Sequence, residues 1–79
     1  MAGIEMLAVV ALLEDVPEKK LLRGQVGTVV ESLAPGVYEV EFSDDRGKTY
    51  ASLALRSNQL MRLHHEPSHQ AASHEGLAP

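Results

Sequence analysis

Two glycines three residues apart, Gly24 and Gly27, have a spacing that occurs in phosphate-binding loops. Such loops continue with Lys-Ser or Lys-Thr, or with a third glycine, and then with a helix whose amides face the anion. Here Thr28 and two valines follow, which is typical of the start of a β-strand. We therefore interpret Gly24 as a turn and Gly27 as a bulge or a close crossing of two backbones. We expect no nucleotide and no other cofactor.

Two pairs of carboxylates have the residue types for acid–base or metal chemistry. Glu39 and Glu41 lie on one face of a predicted strand, about 7 Å apart. They would need a pocket that made one a proton donor and the other an acceptor, and the outer face of a strand offers none. Asp44 and Asp45 precede Arg-Gly in a sequence typical of a tight turn, where Asp bonds its own backbone. We interpret the first pair as a solvated face and the second as turn residues.

The histidines and serines do not combine into a catalytic or metal site. All four histidines follow the last predicted strand, at positions 64, 65, 69 and 74. The chain has no Cys, so a Cys-ligated zinc site and a disulfide framework are excluded. No His accompanies the serines of the folded part, which a Ser–His nucleophile requires. We expect no catalytic residue and no metal site, and predict that the protein is not an enzyme.

One basic cluster remains as a candidate binding site. It contains Lys19, Lys20 and Arg23, and an exposed Tyr50 beside it could stack on a nucleic-acid base. Whether Arg46 lies near this cluster or at the far end is open. The net charge of −4 counts against a dedicated binder of the phosphate backbone. The residues that we assign to a possible binding face are Lys19, Lys20, Arg23, Tyr50, Asp44, Asp45 and Arg46.

The elements around these residues are predicted to be strands. The segment 37–42, VYEVEF, places Tyr38, Val40 and Phe42 on one face, which is the period of a half-buried strand. Pro35-Gly36 before it suits a type II turn, so 26–33 and 37–43 should form a hairpin. A third strand is predicted over 48–55, then a 3₁₀ turn and a last strand over 60–63.

The first apolar run, MLAVVALL at 6–13, permits either a helix or a strand. We favour a strand because the run is short and contains two adjacent valines. It is too short to cross a membrane, and it lacks the basic residues that precede the core of a signal peptide. The charged segment 14–23 should form a long loop, with Val16, Leu21 and Leu22 packed beneath it.

Five short strands in this order predict an all-β fold, a small five-stranded SH3-like barrel over residues 1–63. Residues 64–79 are polar and rich in Ala, which predicts a disordered C-terminal tail.

The sequence also resembles a family of short bacterial proteins, the domain of unknown function 4926. The residues that carry this resemblance are Val9–Leu12, Leu21, Gly24, Val26–Val30, Gly36, Tyr38, Val40–Phe42, Gly47, Thr49–Ala51, Gln59 and Leu60. Ala8 departs from the pattern, in which Asp is usual. The resemblance implies an SH3-like barrel and no assigned activity. The chain is similar, more weakly, to KOW domains, which bind RNA or protein, and to the C-terminal barrel of nitrile hydratase β subunits.

From these observations we expect a non-catalytic protein-interaction or accessory module in a bacterial cytoplasm. Its binding face should lie between the long loop and the turn at 44–47, with Val37, Tyr50 and Val16 as an apolar patch. Its partner should be another protein or a second copy paired through the first or last strand, with no membrane and no small-molecule substrate. The alternative is a KOW-like module that binds RNA or another nucleic acid through Lys19, Lys20 and Arg23.

Overall fold

A computed structural model describes residues 4–64, which form one antiparallel sheet. The five strands are β1 (Val9–Leu12), β2 (Val26–Ala34), β3 (Val37–Ser43), β4 (Thr49–Arg56) and β5 (Leu60–Arg62). Single 3₁₀ turns span Pro17–Lys19 and Ser57–Gln59, and the strand order is β4-β3-β2-β1-β5. The prediction of an all-β, five-stranded fold is confirmed. Apart from His64, which is exposed, the predicted disordered tail lies outside the described residues.

The first apolar run forms a strand, as expected, although the strand itself covers only Val9–Leu12 in the middle of the run. β1 alternates along its length, with Val10 and Leu12 buried and Val9 and Ala11 half-buried. β1 lies between β2 and β5, so both of its edges are bonded within the sheet. Met6 and Leu7 precede the strand and stay exposed. In the described residues no helix is long and apolar enough to span a membrane.

The core lies on the inner face of the curved sheet and follows the alternation of β3. Tyr38, Val40 and Phe42 all point inward, and the last two are fully buried. The other buried apolar residues are Ala8, Val10, Leu12, Val16, Leu21, Val29, Leu55 and Leu60. Each fully buried side chain of this kind contributes about 1.5–3 kcal/mol relative to an exposed one, so these residues supply the main stabilisation of the fold.

The β2–β3 hairpin closes through Pro35-Gly36, with Ala34 paired to Val37. Gly36 has a φ of 74°, as the second central position of a type II turn requires. The register shifts twice along β2, between Val29 and Glu31 and between Ser32 and Ala34. Each shift is a β-bulge, which adds one residue to β2 and bends the strand. These bulges curve the sheet around its core.

The long loop between β1 and β2 has internal structure of its own. Val16 and Leu21 pair as an isolated antiparallel bridge, and both side chains are buried against the core. Leu22 is 64% exposed, so the expectation that it packs beneath the loop is wrong. The bridge turns Leu21 inward, and the next side chain along an extended backbone points the other way.

Candidate interaction surface

The predicted basic cluster lies along the exposed side of the long loop. Lys19 ends the first 3₁₀ turn, and Lys20 follows it in the left-handed conformation, with its N–H donating to the Pro17 carbonyl. The Arg23 N–H donates to Asp15 Oδ1 over 2.8 Å. All three basic side chains are exposed, as are those of Asp15 and Glu18 in the same loop. The loop therefore presents cations and carboxylates together, so its positive field is partly neutralised.

Tyr50 is hydrogen-bonded at the end of the long loop, where Gln25 follows the basic cluster. Its hydroxyl accepts a hydrogen bond of 2.9 Å from Gln25 Nε2, which ties the start of β4 to the end of the long loop. The Tyr50 ring is half exposed. Within residues 4–64 no hydrogen bond joins Tyr50 to a basic side chain of the loop. The structure thus places Tyr50 beside Gln25, and its part in a binding face with Lys19, Lys20 and Arg23 stays a prediction.

Asp44 builds the turn between β3 and β4. Its Oδ1 accepts from the N–H groups of Arg46, at 2.9 Å, and Lys48, at 3.0 Å. The Asp44 N–H donates to the Lys48 carbonyl, and the Gly47 N–H donates to the Asp44 carbonyl. These bonds confirm the interpretation of Asp44 as a turn residue. Asp45 and the Arg46 side chain are exposed at the same turn.

The close crossing that Gly27 predicts is present. A β-carbon at this position would lie 2.8 Å from both the Glu41 carbonyl oxygen and Val40 Cγ1, and 2.9 Å from Phe42 Cδ2. Contacts this short do not occur for real side chains, so only glycine fits. Gly24 has a φ of 93° and turns the chain into β2, with open space around it. Both glycines therefore serve the fold.

The predicted apolar patch of Val37, Tyr50 and Val16 is wrong. Val16 is buried in the core with 6% exposure. Val37 pairs with Arg56, six residues along β4 from Tyr50. At the rise of an extended strand this separation is about 20 Å. The long loop folds Val16 inward, and the hairpin places Val37 at its opposite end.

A different apolar surface appears on the outer face of the sheet, where three strands meet. Ala11 pairs with Val26 on one side and with Met61 on the other, so the three side chains form a row across β5, β1 and β2. Leu13 lies next to this row, since its N–H donates to the Gln59 carbonyl and continues the β1–β5 pairing. Met61 and Val26 are 51% and 48% exposed, and Leu13 is 41% exposed. We call these four residues the outer apolar row.

The outer apolar row could not be found by reading along the chain. Its members come from segments as far apart as position 11 and position 61, and only the β1–β5 pairing brings them together. Neither β1 nor β5 shows a long alternating pattern, because each is short. The pairing of the first strand with the last was the missing information.

The neighbouring part of the outer face is acidic. Glu31 lies directly opposite Glu39, and Glu41 lies opposite Thr28. Two serine and threonine hydroxyls on β4 donate to these carboxylates, Ser52 Oγ to Glu39 and Thr49 Oγ1 to Glu41. The carboxylates are thus held on the sheet surface by hydroxyl donors. The outer face changes from apolar over β5 and β1 to acidic over β3.

A protein-family model described as "Domain of unknown function (DUF4926)" matches residues 6–62, which include all five strands. No curated protein and no solved structure shows a significant match to this chain. The family resemblance drawn from the sequence is confirmed, whereas the weaker similarities to KOW domains and to the nitrile hydratase barrel stay predictions.

Proposed function

This chain belongs to the DUF4926 family, and we propose that it is a non-catalytic protein-binding module that docks a partner protein on the outer apolar row. The observation that carries the proposal is the pairing of Met61, Ala11 and Val26 into one exposed row. The bacterial setting implied by the family resemblance and a cytoplasmic location belong to the same proposal.

The chemistry of the row supports a protein surface as its partner. The row itself contains no charged or polar side chain, and it crosses three strands of a regular sheet. Exposed apolar side chains that are contiguous and rimmed by polar groups mark sites of protein association. Here the acidic face of β3 borders the row on the outer face of the sheet.

The row can supply part of the free energy of association, which must also offset the loss of translational and rotational freedom on binding. Burying a half-exposed Met, Leu or Val side chain stabilises a complex by about 1 kcal/mol. Three such side chains in one place therefore supply on the order of 3 kcal/mol, before the polar rim contributes. A partner would need apolar side chains facing Met61 and Val26, with basic groups placed against Glu39 and Glu41.

The test compares two variants of the row with a matched control. Val26→Lys and Met61→Lys place charges in the row, whereas Leu33→Lys alters an apolar side chain of similar exposure at the far end of β2. Immobilised full-length protein is incubated with lysate from its own source. We expect a partner that is retained by the wild type and by Leu33→Lys and lost by both row variants. A partner that all four proteins retain equally would contradict the docking site.

The salt dependence of binding separates this function from nucleic-acid binding. An amide-resolved NMR titration with short RNA and duplex DNA at 50 and 200 mM salt would reveal phosphate contacts, which weaken steeply over that range. Shifts at Lys19, Lys20 and Arg23 that disappear at 200 mM salt would favour the KOW-like alternative. For an apolar interface we expect no such shifts, and binding of the partner that changes little with salt.

A further inference from the structure

The outer apolar row continues along β1 into a longer surface. The Leu63 N–H donates to the Val9 carbonyl over 2.8 Å, so Leu63 and Val9 extend the pairing of Met61 with Ala11. Successive side chains of a strand alternate between its faces, so Val9, Ala11 and Leu13 share the outer face of β1. Val9 and Leu63 are half-buried. We call the row together with these two residues the outer apolar stripe, which consists of Val9, Ala11, Leu13, Val26, Met61 and Leu63.

The stripe has two definite ends. Before Val9 the chain turns, because the Ala8 N–H donates to the Glu5 carbonyl over 3.1 Å and Leu7 between them has a φ of 66°. After Leu13 the long loop begins with exposed carboxylates. At about 3.3 Å per residue, the distance between these ends is about 13 Å. The width across β5, β1 and β2 is about 10 Å, because neighbouring strands lie about 4.8 Å apart.

The face of the stripe offers side chains to a partner but no backbone hydrogen bonds. The N–H and C=O groups of a sheet lie in its plane, and β1 is bonded to β2 along one edge and to β5 along the other. A segment buried on this face must therefore satisfy its own backbone groups, since unpaired polar groups are costly in an apolar contact. An extended segment cannot do this alone, whereas an α-helix bonds its backbone within itself.

The dimensions of the stripe agree with one helix lying along β1. A helix rises about 1.5 Å per residue, so about nine residues cover the length of the stripe. The diameter of a helix with its side chains is about 10–12 Å, which matches the width over three strands. Apolar side chains at i, i+4 and i+7 share one helix face over about 10.5 Å, so all three fit on the stripe.

Charge distinguishes one flank of the stripe from the other. Thr28 lies opposite Val9 on one side and opposite Glu41 on the other, so Glu41 is two strands away from Val9 on the outer face. Glu39 lies on the same face of β3, and both carboxylates keep acceptor capacity beyond the single hydroxyl that bonds each of them. On the opposite flank the sheet ends at β5. A helix on the stripe would therefore gain from Lys or Arg side chains on the flank that faces β3.

We propose that the partner binds the outer apolar stripe with an amphipathic α-helix that carries basic residues on one flank. This inference rests on the proposed function, which assigns the docking site but not the kind of segment that binds there. The helix lies along β1, and its apolar side chains cover Ala11, Val26 and Met61. Its basic side chains face Glu39 and Glu41.

The test is an NMR titration of the full chain with three peptides of about 14 residues, each added to about 1 mM. The first peptide has leucines at i, i+4 and i+7, lysines on the flanks, and a lactam bridge on its polar face, because short peptides are marginal helices in water. The second has the same composition with alternating leucines, which favours extended structure. The third is the first with glutamates in place of the lysines. We expect only the first to bind, with shifts at the amides of Val9, Ala11, Met61 and Leu63.

Two pairs of variants locate the bound helix. Val26→Lys places a charge beneath it and should weaken binding of the first peptide by about tenfold or more, whereas Leu33→Lys should leave binding unchanged. Glu41→Gln keeps an acceptor for Thr49 and should weaken binding by about two- to fivefold, the range of an exposed ion pair. Glu18→Gln, at an exposed position of the long loop, should have no effect.

Three results would overturn the proposal. They are equal binding of the helical and the alternating peptide, equal binding of the basic and the acidic helix, and no binding of the first peptide at about 1 mM. If the alternating peptide binds and Val26→Lys abolishes its binding, the docking site stands and only the helical partner is wrong. If a peptide binds the wild type and Val26→Lys equally, the docking site itself is wrong.

Discussion

Gly27 and Glu41 lie on adjacent strands with no space between them for a side chain. A β-carbon on Gly27 would come within 2.8 Å of the Glu41 carbonyl oxygen. That oxygen belongs to the backbone and cannot move aside without distorting β3. The fold therefore depends on the absence of a side chain at position 27, in a strand where β-branched residues would otherwise be favoured.

We expect Gly27→Ala to lower the free energy of unfolding by about 1–3 kcal/mol, the usual cost of overpacking. Urea denaturation followed by circular dichroism measures the change. Gly24→Asn is the comparison, because position 24 has open space for a side chain, so only its φ of 93° opposes a substitution, and Asn is among the residues that adopt a positive φ most readily. If Gly24→Asn were the more destabilising of the two, the close crossing at Gly27 would not limit stability.

Two adjacent leucines in the long loop should respond very differently to truncation. Leu21 is 1% exposed and Leu22 is 64% exposed. Leu21→Ala leaves a cavity at the edge of the core and should cost about 2–5 kcal/mol. Leu22→Ala should change stability by about 0.5 kcal/mol or less. Thermal unfolding of the two variants compares them directly, and equal effects would mean that the loop is not anchored through Leu21.

Removal of the buried tyrosine hydroxyl should also affect stability more than removal of the exposed one. Tyr38 is buried, and its hydroxyl accepts a bond of 3.1 Å from the Ile4 N–H. Tyr38→Phe should lower the free energy of unfolding by about 0.5–1.5 kcal/mol and speed exchange of the Ile4 amide. Tyr50→Phe removes an exposed bond to Gln25 and should have little effect on stability. Unchanged exchange at Ile4 in Tyr38→Phe would show that this bond does not hold the segment before β1.

At the β3–β4 turn, substitution of Asp44 should lower the stability of the fold, and substitution of Asp45 should not. Asp44→Ala removes the acceptor for the N–H groups of Arg46 and Lys48 and should cost about 1 kcal/mol. Asp44→Asn keeps a side-chain oxygen and should recover most of this loss. Asp45→Ala should leave the midpoint of urea unfolding within experimental error. A larger effect of Asp45→Ala than of Asp44→Ala would contradict the hydrogen bonding of the turn.

The elements that the sequence predicted well are those with a local cause. The alternation of Tyr38, Val40 and Phe42 predicts both β3 and its buried face, because a strand turns successive side chains to opposite sides. Pro35-Gly36 predicts the first hairpin, and the Asp-rich segment predicts the second turn. Each of these features depends on a few neighbouring residues.

The features that the sequence missed depend on pairing between distant segments. The two bulges in β2 set which residues oppose β3, and no single residue marks them. The inward turn of Leu21, but not Leu22, follows from the Val16–Leu21 bridge. The predicted patch of Val37, Tyr50 and Val16 is wrong because its members are separated by the β3–β4 register and by the inward fold of the long loop. The outer apolar row needed the β1–β5 pairing for the same reason.

The ion pair between Glu5 and Arg62 joins two points that are 57 residues apart in sequence. The Leu63 N–H also bonds the Val9 carbonyl, so the chain leaves the sheet beside the point where it enters. The segment before β1 and the segment after β5 are therefore adjacent in space. A short linker that joined these two segments would leave every strand in its register. New termini could then be placed at the exposed turn Pro17–Lys19. The order of the strands along the chain is thus separable from their order in the sheet, and this domain is suited to circular permutation and to insertion into the surface of another protein.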